Sequence, residues 1–382
     1  MLEPLLTKFS QIWLTRLWRL LPILALVCFL GASGCQSLTG NPVDSRALAP
    51  SSTSSSAEGG TLGVVWQQVE GPQLIGGSCF SWRCAGVGDP ALVRDRSGLI
   101  VWFTTMGIRP DSKGGFVADG PWIGRALGLD APSLKLNFSP DSPVISVGAD
   151  GTWDRYVETP TVLHDDKESR WILWYLGYAE RGGPTSFVAP AIGQMHSLDA
   201  EGKNWQRSGV PIYRPIPGAW DGVLVTGPTV VRGPDGIWRL YYTGIGTKEG
   251  VGLLTSTDGI SWKPYANNPV LEAQKAAWDE QILEQAVLYF RGQYWMWYSG
   301  YQNPLTKTTS IAIGLATSPD GIHWSRHPEN PVLKPSTDGW NDISVLAPDV
   351  LVEPDGSLLM AAYGNSHKNQ SSAGSIGFWR SR

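Results

Sequence analysis

Four carboxylates in this chain, Asp89, Glu158, Glu284 and Asp349, lie at the starts of short segments that resemble one another. One carboxyl group can protonate a leaving oxygen while a second one activates water or attacks carbon. Carboxyl groups that lie close together raise one another's pKa, which keeps an acid protonated near neutral pH. The residue types and their number therefore suit acid–base chemistry, if the fold brings these distant positions together.

The segments that carry these carboxylates belong to a repeat that runs through most of the chain. Each copy begins with a strand, usually led by a Trp, that ends at a proline, and a second Trp follows nine or ten residues after the proline. The second Trp residues stand at positions 82, 153, 220, 278 and 340. Their spacings of 71, 67, 58 and 62 residues are too long for a helical solenoid. They suit propeller blades of about four strands.

Within each copy, an inner strand follows the second Trp, and a strand dense in aromatic residues comes next. Residues 90–93 and 99–103 give one example of this order. Short β-branched and aromatic runs between turn residues predict strands, and no segment beyond the N-terminal one shows sustained helical periodicity. The turns at 256–262 and 318–324 read Ser-x-Asp-Gly-x-x-Trp. Asp-Gly suits a positive φ, and we expect the Trp to fill the gap between neighbouring blades.

The two ends of the repeat region complement each other. Residues 66–75 match the outermost strand of the other copies, whereas the last copy ends at Trp379 without such a strand. An N-terminal strand that joined the last blade would close the ring and leave no free edge there. We therefore predict an all-β fold over residues 62–382, a five-bladed β-propeller whose N-terminal strand closes the last blade.

Composition excludes two classes of function. The net charge of −4 and the pI near 5.8 leave no basic surface for a nucleic acid, since Lys and Arg are scattered. The five His residues lack the spacing of metal ligands, so we expect no metal site built by the protein, and no cofactor. We expect a monomer.

The first 35 residues are typical of an export signal. Basic residues precede an apolar run at 20–30, and small residues lead to Cys35. An apolar run this short predicts a signal and not a spanning helix. Small residues directly before Cys35 resemble a bacterial lipobox, which predicts a lipidated Cys35; an ordinary signal peptide is the alternative. We expect an exported lipoprotein, membrane-anchored through its acyl chains, at the periplasmic or cell surface.

Two further features concern the region after the signal. Residues 36–61 are rich in Ser, Pro, Ala and Gly, a composition typical of a flexible tether. Cys79 and Cys84 are the only Cys residues beyond this tether. In an oxidising compartment they could form a disulfide that closes a small loop, and two free thiols are the alternative.

The sequence resembles the five-bladed propeller glycosidases, the arabinanase, β-xylosidase, levansucrase and invertase superfamily that includes glycoside hydrolase families 43 and 32. The resemblance covers residues 66–379 and rests on several short motifs. They are Gly-Asp-Pro-Ala-Leu-Val at 88–93, repeated Trp-Asp pairs, Trp-Tyr-Ser-Gly at 297–300, and Ser-x-Asp-Gly-x-x-Trp followed by Asn-Pro-Val-Leu. The resemblance implies an active site in a funnel at one end of the central channel, lined by the beginnings of the inner strands.

This resemblance also implies roles for single residues. An Asp before the proline of the first blade acts as base or nucleophile in the superfamily, and Asp89 stands there. A Glu two residues before the proline of the third blade supplies the acid, but Thr226-Gly227-Pro228 has no carboxylate. Glu158 in the second blade and Glu284 in the fourth remain as candidates for the acid. Asp89 itself breaks the repeat, because the matching residues in the other blades are Thr159, Gly227, Glu284 and Ala347.

Other polar residues near the inner strands have two interpretations each. Asp154, Asp221 and Asp279 follow a Trp at equivalent positions, so we expect them to stabilise turns by accepting backbone N–H bonds. Four residues are candidates for substrate binding: Arg83, Trp82, Arg155 and Asp349. The alternative for Arg83 and Arg155 is a salt bridge at the rim. For Trp82 it is packing between blades, and for Asp349 it is pairing with an Arg.

The leading functional prediction is an enzyme that hydrolyses a glycosidic bond in a small glycan of the arabinofuranoside, xyloside or fructoside class. A carboxyl separation of roughly 6.5–9.5 Å would indicate inversion, and one of about 5 Å would indicate retention. One alternative is a non-catalytic glycan-binding or cell-envelope propeller that keeps only the scaffold. Another follows from the Ser-x-Asp-Gly-x-x-Trp turns, which resemble those of sialidases, although six blades are expected there.

Overall fold

A computed structural model describes residues 62–76, 83, 86–95, 98–110, 116–128, 134–165, 168–183, 186–302, 310–366 and 374–382. Five antiparallel sheets of four or five strands form a five-bladed β-propeller, as the repeat predicts. The count of five does not fit the sialidase-like alternative. No helix among the described residues is long and apolar enough to span a membrane.

The strands are numbered along the chain. The first, β1 (Gln67–Ile75), belongs to the last blade. Blade one contains β2 (Gly86–Asp95), β3 (Gly98–Pro110), β4 (Phe116–Gly128) and β5 (Leu136–Phe138). Blade two contains β6 (Tyr156–Asp165), β7 (Arg170–Tyr178), β10 (Ala191–Ser197) and β11 (Trp205–Arg207), and the hairpin of β8 (Glu180–Gly183) and β9 (Ser186–Val188) lies between β7 and β10 in the chain.

The remaining blades follow the same order from the inner strand outward. Blade three contains β12 (Leu224–Arg232), β13 (Trp238–Ile245), β14 (Glu249–Ser256), β15 (Lys263–Pro264) and β16 (Leu271–Glu272). Blade four contains β17 (Gln281–Phe290), β18 (Gln293–Tyr301), β19 (Ala312–Ser318) and β20 (Ser325–Arg326). Blade five contains β21 (Ser344–Val352), β22 (Leu358–Asn365) and β23 (Ser375–Ser381), and β1 is its outermost strand.

The ring closes as predicted. Strand β1 pairs antiparallel with β23, and the register joins Gln68 to Trp379 and Ile75 to Ser375. Because β1 comes from the beginning of the region and β21 to β23 from its end, this pairing ties the two termini of the propeller into one sheet. The edge that β23 would otherwise expose is covered.

The hydrophobic core lies between the blades. Five clusters of buried side chains each combine residues of two neighbouring blades. The Trp at an outer strand of one blade packs on an aromatic residue of the preceding blade, with the ring centroids 5.7 to 6.5 Å apart. These contacts are Trp205 on Trp102, Trp262 on Trp174, Trp324 on Tyr241 and Trp66 on Trp297. This inter-blade packing confirms the role predicted for the turn Trp residues.

The Asp residues of the Trp-Asp pairs are structural, but the bonds predicted for them are wrong in kind. Asp154, Asp221 and Asp279 are at most 2% exposed, and each accepts a hydrogen bond from a Tyr hydroxyl of the neighbouring strand. A second side chain, Arg207, Tyr213 or Arg326, reaches the same carboxylate. Burial between strands places these carboxylates beside side-chain donors and away from the backbone N–H groups of the turn.

Candidate functional site

A bulge interrupts every inner strand at one level of the channel. The pairing of each inner strand with its neighbour shifts by one residue there, so that one extra residue stands on the inner strand. In four blades the residue before the proline has a left-handed backbone, with φ near 50°. The shifts fall between Gly88 and Ala91, Glu158 and Thr161, Thr226 and Thr229, Leu283 and Gln285, and Leu346 and Asp349.

The five bulges surround a small central cavity of about 30 Å³. Asp89, Glu284 and Asp349 line it, so the structure brings together three of the four carboxylates that the repeat singles out. Left-handed backbone is uncommon outside glycine, and Asp tolerates it better than β-branched Thr159 does. The remaining described lining comes from the residues beside the bulges, which are Pro90, Thr159 to Thr161, Gly227 to Thr229, Gln285, Ala347 and Pro348.

The pKa of the Asp89 carboxyl is strongly raised. Burial raises its pKa to about 7, and the charge of Glu158 acts in the same direction, while a hydrogen bond from Thr104 opposes them. The Thr104 hydroxyl accepts the backbone N–H of Thr159 at 2.8 Å, so its own proton is directed to Asp89. Asp89 can therefore exchange a proton near neutral pH.

Glu284 belongs to blade four, and its side chain contacts blade three. Its side chain packs on Gly227 of blade three, where a Cβ atom would come within 2.8 Å of the Glu284 Cγ. The next residue, Gln285, replaces the proline of the other blades, and its buried amide donates to the Gly227 carbonyl at 2.6 Å and accepts from Thr243. Glycine at 227 thus opens the space that Glu284 fills, and Gln285 fixes the backbone beside it.

The Glu284 carboxyl is also shifted toward its protonated form. Burial raises its pKa to about 8, and the charges of Asp89 and Glu158 add to that effect. Its Oε2 atom has no hydrogen-bond partner among the described residues. A protonated Glu284 at the cavity wall can donate a proton to a bound molecule.

Glu158 lies just behind the cavity wall formed by Thr159. It is 6% exposed, and its Oε1 accepts a hydrogen bond of 2.6 Å from the Tyr178 hydroxyl. Its charge raises the pKa of both Asp89 and Glu284. The three carboxyls of blades one, two and four therefore form one electrostatic group.

Asp349 is held apart from this group by a backbone contact. Its Oδ2 accepts the N–H of Leu92 in blade one at 2.5 Å, and burial raises its pKa to about 7 against the N–H groups of Leu92 and Val350. It also lines a second cavity of about 450 Å³ further along the channel, whose walls are both polar and apolar. The alternative of an Arg partner is wrong, since within the described part of the chain its carboxylate accepts from backbone groups.

Two predicted binding residues lie away from the central cavity. Arg155 forms an ion pair with Asp150 at 2.7 Å and lies 5.3 Å from the ring of Tyr156. Arg83 packs over the ring of Phe138 at 4.2 Å. The described lining of the cavity contains neither, and substrate binding by these two residues stays a prediction. Trp82, Cys35, Cys79 and Cys84 lie outside the described residues, and their roles stay predictions.

Tyrosines at the end of the second strands are part of the site but were not predicted from the sequence. Tyr178 and Tyr301 end β7 and β18, and they occur only in the two blades that carry Glu158 and Glu284. Tyr363 lies against Gly88, and burial together with the charge of Asp89 raises the pKa of its hydroxyl. The sequence signal is the phrase Trp-Tyr-x-Gly-Tyr, present at 174–178 and 297–301.

Among the described residues, no three His, Cys, Asp or Glu side chains are placed so that they could hold a metal ion. The arrangement at the cavity is thus one of carboxyl groups from separate blades that interact through their charges. Two of them, Asp89 and Glu284, keep part of their surface accessible. Acid–base chemistry on a molecule at the cavity mouth is what this geometry can perform.

Comparison with known protein sequences gives little information on activity. No protein-family model matches the chain. Two uncharacterized proteins of Mycobacterium tuberculosis, from strains CDC 1551 / Oshkosh and ATCC 25618 / H37Rv, are each 27% identical over 142 residues. The matched part is 37% of this chain and spans 45% of the length of each relative.

Solved structures similar to this chain include glycoside hydrolases. A complex of BT0996 with RGII has a TM-score of 0.64 and 16% identity over 82% of this chain and 92% of the other. A thermostable family-43 glycoside hydrolase has a TM-score of 0.56 and 16% identity, covering 81% and 91%. The catalytic domain of a GH62 α-L-arabinofuranosidase from Coprinopsis cinerea has a TM-score of 0.58 and 14% identity, covering 83% and 97%.

One further structure with the same fold is that of an enzyme with another activity. An N-acetylgalactosamine deacetylase from F. plautii has a TM-score of 0.58 and 15% identity, covering 82% of this chain and 95% of the deacetylase. At identities this low the similarity shows the fold alone, since one fold serves several reactions. The function of this chain must be argued from its own cavity.

Proposed function

We propose that this protein is a glycoside hydrolase that cleaves a glycosidic bond in a small glycan at the mouth of the central cavity. The observation that carries the proposal is the group of three carboxyls, Asp89, Glu158 and Glu284, from three separate blades. Asp89 and Glu284 have pKa values raised to about 7 and about 8, mainly by burial and partly by the charge of Glu158 and, for Glu284, that of Asp89. Glycosidic hydrolysis needs two such groups, one protonated and one not.

In this proposal Glu284 is the general acid. It has the higher pKa of the pair, so it keeps its proton when Asp89 loses one. Protonation of the leaving oxygen by Glu284 would let the bond break, and the ionised Asp89 would activate water or attack the anomeric carbon. The charge of Glu158 holds the pKa of both groups near the working pH.

The packing of Glu284 on Gly227 supports this choice of acid. In the superfamily that the sequence resembles, the third blade supplies the acid two residues before its proline, whereas blade three has Thr226 there, followed by Gly227. The side chain of Glu284 reaches over that glycine from blade four. We infer that a carboxyl from the neighbouring blade takes the place of the missing one.

The substrate we propose is an uncharged glycan of the arabinofuranoside, xyloside or fructoside class. The described lining of the cavity holds three carboxylates and no Lys or Arg, so an anionic sugar would be repelled. The similarity in fold to an α-L-arabinofuranosidase supports the arabinofuranoside part of this class.

The test is a hydrolysis screen with aryl arabinofuranosides, xylosides and fructosides. We expect the wild type to release phenol from at least one of them, and Asp89→Asn to lower kcat/KM by about 100-fold or more, the scale of acid–base catalysis. Calorimetry with the matching oligosaccharides runs in parallel. Binding without hydrolysis by the wild type would contradict catalysis and favour the non-catalytic glycan-binding alternative.

We also propose that the protein is exported and anchored to a membrane by lipid on Cys35, as the small residues before that Cys indicate. Metabolic labelling with a fatty acid tests this proposal. The wild type should carry label and fractionate with membranes, while Cys35→Ser should carry none. Label that persists in Cys35→Ser would contradict the assignment.

A further inference from the structure

Tyr301 is a buried tyrosine whose hydroxyl has no hydrogen-bond partner among the described residues. It ends β18 in the blade that carries Glu284, and it is 1% exposed. A buried hydroxyl without a partner is unfavourable, because it has lost water and gained nothing in return. Glu284 Oε2 is unpartnered in the same way within the described part of the chain.

The same position in blade two shows what such a hydroxyl can do. Tyr178 ends β7 within the same Trp-Tyr-x-Gly-Tyr phrase, and its hydroxyl donates to Glu158 at 2.6 Å. In blade two the carboxyl lies one residue before the bulge residue Thr159, whereas in blade four Glu284 is the bulge residue itself. That offset turns Glu284 over Gly227 and leaves Tyr301 without the bond that Tyr178 makes.

The charge of a second carboxyl also acts on Tyr301. Glu249, at the start of β14, accepts the backbone N–H of Ile282 at 3.0 Å, which sets its carboxyl against the start of β17. The charges of both Glu249 and Glu284 raise the pKa of Tyr301, after the larger effect of burial. The hydroxyl is therefore near enough to two carboxyls, on strands β14 and β17, for their charges to act on it.

We propose that Tyr301 is a positioning residue for the acid, whose hydroxyl donates a hydrogen bond to Glu284 once Glu284 has given its proton to the leaving oxygen. This inference rests on the proposed function. The proton of Tyr301 stays on its oxygen throughout. While Glu284 is protonated, the hydroxyl has no acceptor among the described residues. When Glu284 ionises, the new carboxylate gains a donor in a dry environment, where such a bond is strong.

Four other charged groups act on Glu284 or Glu249 or lie beside them. Asp89 and Glu158 face Glu284, and Glu280 faces Glu249, each raising the pKa of its neighbour. Burial is the largest cause of the raised pKa of Glu249, which reaches about 8. Lys248, beside Glu249 in the chain, is paired with Glu272 at 2.8 Å. A donor hydroxyl is thus placed near a carboxyl whose negative charge is disfavoured by burial, by Asp89 and by Glu158.

The experiment compares two aryl glycosides of one sugar, one with a poor leaving group that needs protonation and one with a dinitrophenyl group that does not. For Tyr301→Phe we expect kcat on the poor leaving group to fall about tenfold or more, with KM unchanged, and kcat on the dinitrophenyl glycoside to stay within about twofold. The alkaline limb of the pH profile should move to higher pH, because the carboxylate form of Glu284 loses a donor.

Tyr213→Phe is the matched control, since its hydroxyl donates to the structural Asp221 at 2.8 Å in blade three. It should change neither the leaving-group dependence nor the pH profile. Equal losses on both glycosides in Tyr301→Phe would show a merely structural role and overturn the inference, as would an unchanged enzyme. A wild type that hydrolyses neither glycoside fails the proposed function itself, and with it this inference.

Discussion

At the scale of single residues, the chemistry depends on protons shared by a few carboxyls. Asp89 and Glu284 line one cavity. Burial and the charge of Glu158 raise the pKa of Asp89 to about 7, and burial with the charges of Asp89 and Glu158 raises the pKa of Glu284 to about 8. Interacting groups lose their protons in steps that belong to the pair. Between these two values the pair holds about one proton, and that is the state in which one group acts as acid and the other as base.

The first prediction concerns the pH dependence of the proposed hydrolysis. We expect kcat/KM to rise as Asp89 ionises near pH 7 and to fall as Glu284 ionises near pH 8, which gives a narrow bell. Glu158→Gln removes a negative charge that raises both pKa values, so both limbs should move to lower pH. A bell with unchanged limbs in Glu158→Gln would contradict the electrostatic role of Glu158.

The second prediction concerns Gly227. In Gly227→Ala the new methyl group meets the Glu284 side chain, so we expect kcat to fall about tenfold or more as the acid is displaced. Gly236→Ala is the matched control, because Gly236 also has a positive φ and its Cβ would have only the Arg232 guanidinium at 4.0 Å. Both variants should lose about 1 kcal/mol of stability, and only Gly227→Ala should lose activity. Equal kcat values in the two variants would refute the placement of Glu284.

The sequence singles out part of this site for a clear reason. Asp89 and Glu284 share one position of the repeat, where the other blades have Thr159, Gly227 and Ala347, and Glu158 stands one residue earlier, where no other blade has an acid. The repeat itself therefore marks all three. Arg83 and Arg155 could not be placed in the same way, because the segments before the inner strands set their direction. The role of Tyr301 could not be predicted from the sequence, because it depends on the bulge. The bulge displaces Glu284 from the register that Glu158 keeps.

At the scale of strands and turns, the bulged inner strands and the Trp-Asp turns have different structural roles. The bulges turn five residues toward the channel, while each buried Asp joins the inner turn to the second strand through a Tyr hydroxyl. Small residues allow this approach. A Cβ atom at Gly177, Gly244 or Gly300 would come within 2.9 Å of the adjacent Trp or Asp side chain.

The third prediction tests the buried Asp of blade four. Asp279 accepts bonds from Tyr298 at 3.0 Å and from Arg326 at 2.7 Å, and it is 1% exposed. Asp279→Ala leaves both donors unpaired, so we expect a loss of about 3 kcal/mol in urea unfolding. Lys248→Ala removes an ion pair whose two side chains are both 51% exposed, and it should change stability by less than about 1 kcal/mol. Similar small losses in both variants would contradict the structural role of Asp279.

The strands and their order follow from sequence because aromatic and β-branched runs alternate with Asp-Gly turns. The side-chain partners of Asp154 and its counterparts do not follow in this way, because the Arg and Tyr donors come from strands distant in sequence. Arg207 of β11, for example, reaches Asp154 at 3.2 Å from the outer edge of the blade. Turn statistics alone favour a backbone partner, and burial decides otherwise.

At the scale of the whole molecule, the ring places carboxyls from distant parts of the chain around one axis, and that arrangement costs stability. Asp89, Glu284 and Asp349 have folded-state pKa values raised above those of an unfolded chain. The folded protein therefore binds more protons than the unfolded chain between about pH 4 and pH 8. Stability is then highest at the acidic end of this window and falls as the pH rises through it.

The fourth prediction follows from this linkage and needs no substrate. The midpoint of urea unfolding should be lower at pH 8 than at pH 5. Glu284→Gln, which is neutral at both values, should stabilise the protein by about 1 kcal/mol or more at pH 8 and by little at pH 5. A wild type that is more stable at pH 8, or a variant that gains no stability there, would contradict the raised pKa values of the carboxyls at the axis.

The loss of hydrolysis in Glu284→Gln tests the central claim most directly, because blade four is not where the superfamily resemblance places the acid. The measurement is kcat/KM on one aryl glycoside with a poor leaving group, for the wild type, Glu284→Gln and the nearby control Glu280→Gln. We predict a loss of about 100-fold or more in Glu284→Gln alone. Equal activity of the wild type and Glu284→Gln, or equal losses in the two variants, would contradict the assignment of Glu284 as the acid.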